Sequence, residues 1–99
     1  MPDKSGPLGA ALRGFLKKAG LARRVEQAAA LETWPRVVGP AVAAATKPLS
    51  VGADGTLVVG VRSSAWMNEL SLMERDLLEA VNRENPSAPI HRIRWQLVP

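Results

Sequence analysis

The side chains with the clearest chemical potential in this sequence are its cations, which are rich in arginine. The chain has 13 lysines and arginines against 9 aspartates and glutamates. A guanidinium group suits phosphate because its planar fork donates two hydrogen bonds at once. The candidate phosphate-binding residues are Arg13, Lys17, Lys18, Arg23, Arg24, Arg36, Lys47, Arg62, Arg92 and Arg94. They predict sequence-independent binding to a polyanion, with an affinity that falls steeply as salt rises.

The charges are unevenly spread along the chain. Residues 64–85 carry five acids and two arginines, whereas the rest of the chain is strongly basic. A basic surface interrupted by one acidic helix predicts a polyanion partner on the basic side and a different partner on the acidic side. The candidate partner-binding residues on the acidic segment are Met67, Leu72, Glu69 and Asp76. A competing interpretation is that the net charge of +4 serves only solubility.

No set of residues has the pattern of a catalytic site. The chain has no cysteine, which excludes disulfides, thiolate zinc sites and thiol nucleophiles. It has no Gly-x-x-x-x-Gly-Lys-Ser/Thr loop for nucleotide hydrolysis, and His91 has no acidic or nucleophilic neighbour in sequence. The carboxylates alternate with arginines at helical spacing, as in Glu79 and Arg83, which is typical of surface ion pairs. We expect no enzyme, no cofactor, no metal and no small-molecule substrate.

The stretch GADG at residues 52–55 matches a loop that clamps nucleic-acid backbone in one class of RNA-binding domain. In that class the loop joins two helices, whereas here it separates two strand-like segments. Its Asp54 would repel phosphate. Turn chemistry therefore predicts a hairpin turn.

The elements that must position these residues follow from hydrophobic periodicity. Apolar residues at helical spacing predict a helix that starts near Leu8 and stops at Gly20, and a second over 22–33. Pro35 predicts either the start of a shorter helix or a kink. A third helix is predicted over about 65–82, capped by Ser63 or Ser64, with Met73 on its buried stripe.

Alternation with a period of two predicts strands in TKPLSV, TLVVGVR and IHRIRWQLV. Leu57, Val59 and Val61 would point one way from the second strand. In the last strand, which is predicted to be half-buried, Ile93, Trp95 and Leu97 would take one face. Arg62, Arg92 and Arg94 would share the opposite face. The apolar helical and strand stripes also predict core anchors, namely Trp34, Trp66, Trp95, Leu70 and Leu77.

The predicted fold class is α+β in the order α-α-β-β-α-β, with a three-stranded mixed or antiparallel sheet and helices on one face. Residues 1–7 are predicted to be a flexible N-terminus and 8–98 a single domain. No apolar run approaches the length of a membrane span, and no signal peptide is recognisable. We expect no membrane association and a cytoplasmic, nucleoid-associated location.

An ordered set of residues resembles the DciA family, bacterial proteins associated with the replicative DNA helicase. It begins with Trp34, VVG at 37–39, Thr46 and Pro48, and continues with GTLVVGVRSSAWMNEL at 55–70. It closes with Leu77, Leu78, Asn82, Ile90, Ile93, Arg94 and Trp95. The resemblance covers most of residues 10–97.

The resemblance implies a KH-like domain that binds DNA and helps a hexameric helicase of the DnaB type onto single-stranded DNA, without hydrolysing ATP itself. Many members carry a long tail with helicase contacts, whereas this chain is almost only the core domain, so we expect the domain itself to make them. The expected function is a non-enzymatic replication accessory that binds single-stranded or forked DNA. The alternatives are a KH-like RNA-binding module in ribosome biogenesis or translation, and a structural oligomerisation domain.

Overall fold

A computed structural model describes residues 7–99, except for the side chains of Arg23 and Glu26. The elements are α1 (Pro7–Val38), α2 (Pro40–Ala45), β1 (Thr46–Val51), β2 (Thr56–Val61), α3 (Ser64–Leu72), α4 (Glu74–Glu84) and β3 (Arg92–Leu97). The α+β class and the three-stranded sheet are confirmed. The predicted flexible N-terminus, apart from Pro7, lies outside the described residues.

The sheet has the order β1-β2-β3, with β2 in the centre. β1 and β2 are antiparallel, whereas β2 and β3 are parallel, so the sheet is mixed. A register shift lies between Pro48 and Ser50 in β1. Proline is tolerated here because β1 is an edge strand, where a missing N–H breaks no ladder.

The helices cover one face of this sheet and form the core there. Leu57, Val59 and Val61 are fully buried on that face, as predicted from their alternation, and Ile93 joins them from β3. The helices that pack on this face, α1, α3 and α4, contribute Trp34, Leu70, Leu77 and Val81 to the same core. The opposite face of the sheet carries no helix, and we call it the outer sheet face.

The first helix differs from its prediction because α1 continues without a break from Pro7 to Val38. Gly20 was predicted to end a helix and does not: nothing lies within 4 Å of the position its Cβ would take, so the helix passes through it in open space. Pro35 also stays inside the helix, on an exposed position. The chain turns instead at Gly39, whose φ of 88° favours glycine, and Pro40 then opens α2.

The predicted helix over 65–82 is also wrong in one respect, because Met73 divides it into α3 and α4. The Met73 N–H bonds to Leu70 O at 3.0 Å, a tightened turn that re-aims the chain. The break lets Leu70 and Leu77 both face the core, while Met73 itself is left exposed rather than on the buried stripe. The order is therefore α-α-β-β-α-α-β.

Candidate nucleic-acid interface

The outer sheet face carries two arginines side by side on β3. The parallel register places Arg92 beside Thr56 and Arg94 beside Val58 of the central strand. Both arginines are exposed, whereas Ile93 between them is buried on the inner face. Alternate residues of one strand project from the same face about 6.6 Å apart, so the two guanidinium groups form a pair along the strand.

Two further cations lie at the other end of the same face. Lys47 of β1 pairs with Gly60 of β2, and Arg62 follows β2 directly. The Arg62 N–H donates to Ala45 O at 3.2 Å, which carries the ladder one residue further. Both side chains are exposed and line a hollow of about 310 Å³. The sheet thus places four of the predicted phosphate ligands on one face, as two pairs at its opposite ends: Lys47 with Arg62, and Arg92 with Arg94.

The middle of the outer sheet face lacks aromatic side chains and carries two apolar ones. Gly60 is buried there, and a Cβ on it would approach Val98 Cγ1 to 2.8 Å and Leu49 Cδ1 to 3.4 Å, because these two side chains lie over the glycine. Between Ser50, Val58 and Arg94 lies a shallow hollow of about 470 Å³. The four aromatic residues of the chain lie elsewhere, in α1, α3 and the inner face of β3. This surface can contact phosphate but offers no ring for base stacking.

The turn between β1 and β2 sets one border of this hollow. Gly55 has a φ of 85°, and a Cβ there would lie 2.5 Å from His91 Cδ2. The His91 N–H donates to Gly55 O at 2.8 Å, which joins the turn to the residue before β3. GADG is therefore a hairpin turn, as its chemistry predicted, and His91 is an exposed residue packed against it.

Asp54 is the acidic residue at this border. Hydrogen bonds from Thr56, whose N–H lies 3.1 Å from Asp54 Oδ1, hold the pKa of this carboxyl below its ordinary value, and the charge of Arg92 adds a smaller effect. Asp54 stays ionised to a lower pH than a free aspartate. A phosphate chain on the outer sheet face would thus meet repulsion at the turn and attraction at the arginines.

The remaining predicted cations do not join this surface. Arg13, Lys17, Lys18 and Arg24 are exposed on the N-terminal part of α1, which precedes the part of the helix that packs into the core. The side chain of Arg23 lies outside the described residues. Arg36 donates from Nη2 to Glu84 Oε1 at 2.8 Å, so an ion pair with α4 already occupies its charge. This pair joins residues 48 positions apart, and no sequence pattern indicates it.

The candidate partner surface lies on α3 and the start of α4. Leu72 is 79% exposed, and Glu69 lies one turn before it on the same side of the helix. Asp76 is exposed on α4 beyond the Met73 break. Met67 is half-buried and packs against the core, so it has less surface to offer a partner.

The predicted core anchors differ in depth. Trp34, Leu70 and Leu77 are buried, whereas Trp66 and Trp95 are half-buried and pack against the core. The Trp34 Nε1–H donates to Thr46 Oγ1 at 2.9 Å, and its ring meets Trp95 edge-on at a centroid distance of 6.1 Å. Ser63 Oγ accepts from the Trp66 N–H at 3.2 Å, which makes Ser63 the cap of α3.

Two side chains that secure β3 were missed by the sequence interpretation. Asn82 of α4 binds the backbone of Ile90 twice, accepting at 2.8 Å from its N–H and donating at 2.9 Å to its carbonyl. Glu74 Oε2 accepts from the Ile93 N–H at 3.1 Å, on the strand edge that faces away from β2. Both bonds fix the strand that presents Arg92 and Arg94. They join distant segments, and no local pattern signals them.

The described residues contain no helix long and apolar enough to cross a membrane. Residues 7–95 match the family model described as "Dna[CI] antecedent, DciA". A UPF0232 protein of Mycobacterium tuberculosis (strain ATCC 25618 / H37Rv) is 37% identical over 75 residues, which cover 76% of this chain and 40% of the relative. A UPF0232 protein of Mycobacterium marinum is 35% identical over 75 residues, which cover 76% of this chain and 40% of the relative. A UPF0232 protein of Rhodococcus jostii is 32% identical over 75 residues, which cover 76% of this chain and 39% of the relative. The chain thus spans about two fifths of the length of these relatives.

Proposed function

The chain belongs to the DciA family, and from this premise we propose that it is a non-enzymatic accessory protein of bacterial DNA replication. It binds single-stranded or forked DNA through the outer sheet face and engages the replicative helicase of the DnaB type through the exposed part of α3 and α4. It acts in the cytoplasm at the nucleoid. Two modest contacts on one small domain keep helicase and DNA close together by raising the effective concentration of one near the other.

The observation that carries the DNA-binding part is the register of the sheet. It places Lys47, Arg62, Arg92 and Arg94 on a face that no helix covers. Lysine and arginine on a solvent-exposed strand face reach phosphate without burying an unpaired charge. The absence of an aromatic ring from this face favours contacts to the backbone over contacts to bases, so binding is independent of sequence.

The four cations also set the expected dependence on salt. Each phosphate contact to a single strand contributes a slope of about −0.7 to the logarithm of affinity against the logarithm of salt concentration. Four contacts therefore predict a slope of roughly −3, or a loss of about 50-fold in affinity between 50 and 200 mM salt.

The test is the affinity of Arg92→Ala/Arg94→Ala for a labelled oligodeoxynucleotide, measured by fluorescence anisotropy at several salt concentrations. Losing two contacts lowers the affinity and reduces the slope by about 1.4. The matched control is Arg75→Ala/Arg83→Ala, which removes two exposed arginines from α4 and leaves both values unchanged. Equal losses in the two variants would show that the outer sheet face is not the site. Tighter binding of structured RNA than of single-stranded DNA would overturn the choice of ligand.

The helicase contact is tested separately with Leu72→Glu. Leu72 is 79% exposed, so the variant keeps its fold and its DNA binding. A charge on that apolar spot abolishes recovery of the purified helicase on an immobilised chain. Leu21→Glu, an equivalent change at an exposed leucine of α1, leaves the recovery intact. Undiminished recovery with Leu72→Glu would place the helicase contact elsewhere.

A further inference from the structure

Two apolar side chains lie beside the cations at one end of the outer sheet face. Leu49 of β1 is 37% exposed there. Val98, which follows β3, is half-buried, and its N–H donates to Val61 O at 2.9 Å, so it extends the parallel register to lie beside Arg62. Both side chains lie over the buried Gly60. This end of the face is therefore apolar as well as basic.

An irregularity in β1 accompanies the exposed leucine. Pro48 pairs with Val59 and Ser50 pairs with Val58, so Leu49 is an extra residue without a partner in β2. Such a β-bulge re-aims the side chains around it, and bulges are frequent beside functional sites. Because Val58 faces outward, its partner Ser50 does too, and the strand presents two successive side chains on the outer sheet face.

Leu49 and Val98 line the same hollow as two of the cations. The hollow measures about 310 Å³, and Lys47 and Arg62 border it. Sites for small organic groups begin at about 300 Å³, so this hollow has room for one planar ring system and not for a folded segment of a partner. Its lining combines an apolar wall with two exposed cations. The ligand that matches both has an apolar face and a negative charge in one unit.

We propose that this hollow takes one unstacked nucleotide of single-stranded DNA, with its base against the apolar wall and the adjoining phosphates at the cations. Leu49 and Val98 form that wall, and Lys47 and Arg62 contact the phosphates. The proposal rests on the proposed function, because it adds a subsite for a base to the face that holds the DNA backbone. Every base has an apolar face, so the contact adds affinity without selecting a sequence.

The subsite discriminates against duplex DNA. In a duplex each base is stacked and paired, so a base reaches the hollow only after it has been unstacked, which costs free energy. The bases of an unpaired strand are free to turn toward the protein. The cations alone do not discriminate in this way, because both forms present phosphates. Leu49 and Val98 therefore set a preference for the single strand.

The test is the affinity of Leu49→Ala for a labelled single-stranded oligodeoxynucleotide, measured by fluorescence anisotropy over a series of salt concentrations. The substitution removes roughly 40 Å² of apolar contact, which lowers the affinity about 5-fold. The salt slope is unchanged because no phosphate contact is lost. Leu97→Ala is the matched control, since Leu97 is 51% exposed but projects from the other face of β3. It binds like the wild type.

An oligonucleotide of abasic sites shows whether a base occupies the hollow. The wild type binds it at least about 5-fold more weakly than the normal strand, because the apolar wall has nothing to contact. Leu49→Ala binds the abasic strand as tightly as the wild type does, since the two changes remove the same contact. Leu49→Ala and the wild type also bind a duplex of the same sequence equally.

An unchanged affinity of Leu49→Ala for the normal strand would overturn the proposal. So would an equal loss in Leu97→Ala, or a loss in Leu49→Ala that persists with the abasic strand or the duplex. Arg92→Ala/Arg94→Ala separates this failure from failure of the proposed function. If that variant loses affinity and Leu49→Ala does not, the outer sheet face still holds DNA and only the base subsite is wrong. If neither loses affinity, the DNA lies elsewhere.

Discussion

At the scale of single residues, a buried hydrogen bond links the first helix to the first strand. The Trp34 indole N–H donates to Thr46 Oγ1, and the Thr46 hydroxyl donates to Val42 O at 2.7 Å. Thr46 is the first residue of β1, so this chain of bonds fixes where α2 ends and the sheet begins. Because all three groups are buried, water cannot replace a missing partner.

We expect Thr46→Val to lower the free energy of unfolding by about 2 kcal/mol, since it leaves the Trp34 N–H without an acceptor in the core. The measurement is urea unfolding. Thr33→Val is the matched control, because the Thr33 hydroxyl is also buried but bonds only to Ala29 O one turn back in its own helix. It should cost less than about 1 kcal/mol. If both substitutions lowered the free energy of unfolding equally, the hydrogen bond between Trp34 and Thr46 would contribute no more to stability than a bond within one helix.

At the scale of elements, local periodicity predicted the strands well and the ends of the helices poorly. The alternation of Leu57, Val59 and Val61 identified the buried face of β2, because which face a strand residue takes depends only on its immediate neighbours. The end of α1 depends on which glycine adopts a positive φ, and the sequence alone does not show that this is Gly39 and not Gly20. The break at Met73 has no glycine or proline to announce it. The break allows both α3 and α4 to pack on the sheet, and the spacing of apolar residues along the chain does not indicate such a break.

The glycines in the first helix give a prediction at this scale. Gly14 has no atom within 4 Å of the position of a Cβ, so Gly14→Ala should strengthen the helix by up to about 1 kcal/mol without a clash. Slower amide hydrogen exchange over residues 10–20 would show it. Gly55→Ala is the contrasting change, because its positive φ and the nearby His91 ring make alanine strained there. It should destabilise the domain, and a stabilised Gly55→Ala would contradict the account of the turn.

The candidate site was predictable only in part. The positions of Arg62, Arg92 and Arg94 on one face followed from strand alternation alone. The sequence did not reveal that Arg13, Lys17, Lys18 and Arg24 lie on a stretch of α1 whose described side chains are all exposed, because that depends on where the helix meets the core. Nor did it reveal that Glu84 pairs with Arg36, or that Asn82 and Glu74 hold β3, since these contacts join segments far apart in the chain.

At the scale of the whole molecule, two surfaces of opposite charge lie on different elements. The outer sheet face is basic, whereas the exposed part of α3 and α4 is acidic with an apolar spot at Leu72. On the proposed function these would be the DNA face and the helicase face, so Arg92→Ala/Arg94→Ala and Leu72→Glu are expected to remove the two contacts independently.

The central claim is that DNA lies on the outer sheet face, and mapping of backbone amide chemical shifts by NMR during titration with an unstructured oligodeoxynucleotide tests it most directly. We predict that the largest changes fall on Val58, Gly60, Arg92 and Arg94, and that the amides of α4 beyond Asp76 stay in place. Changes confined to α1 or α4, with β2 and β3 unaffected, would contradict it.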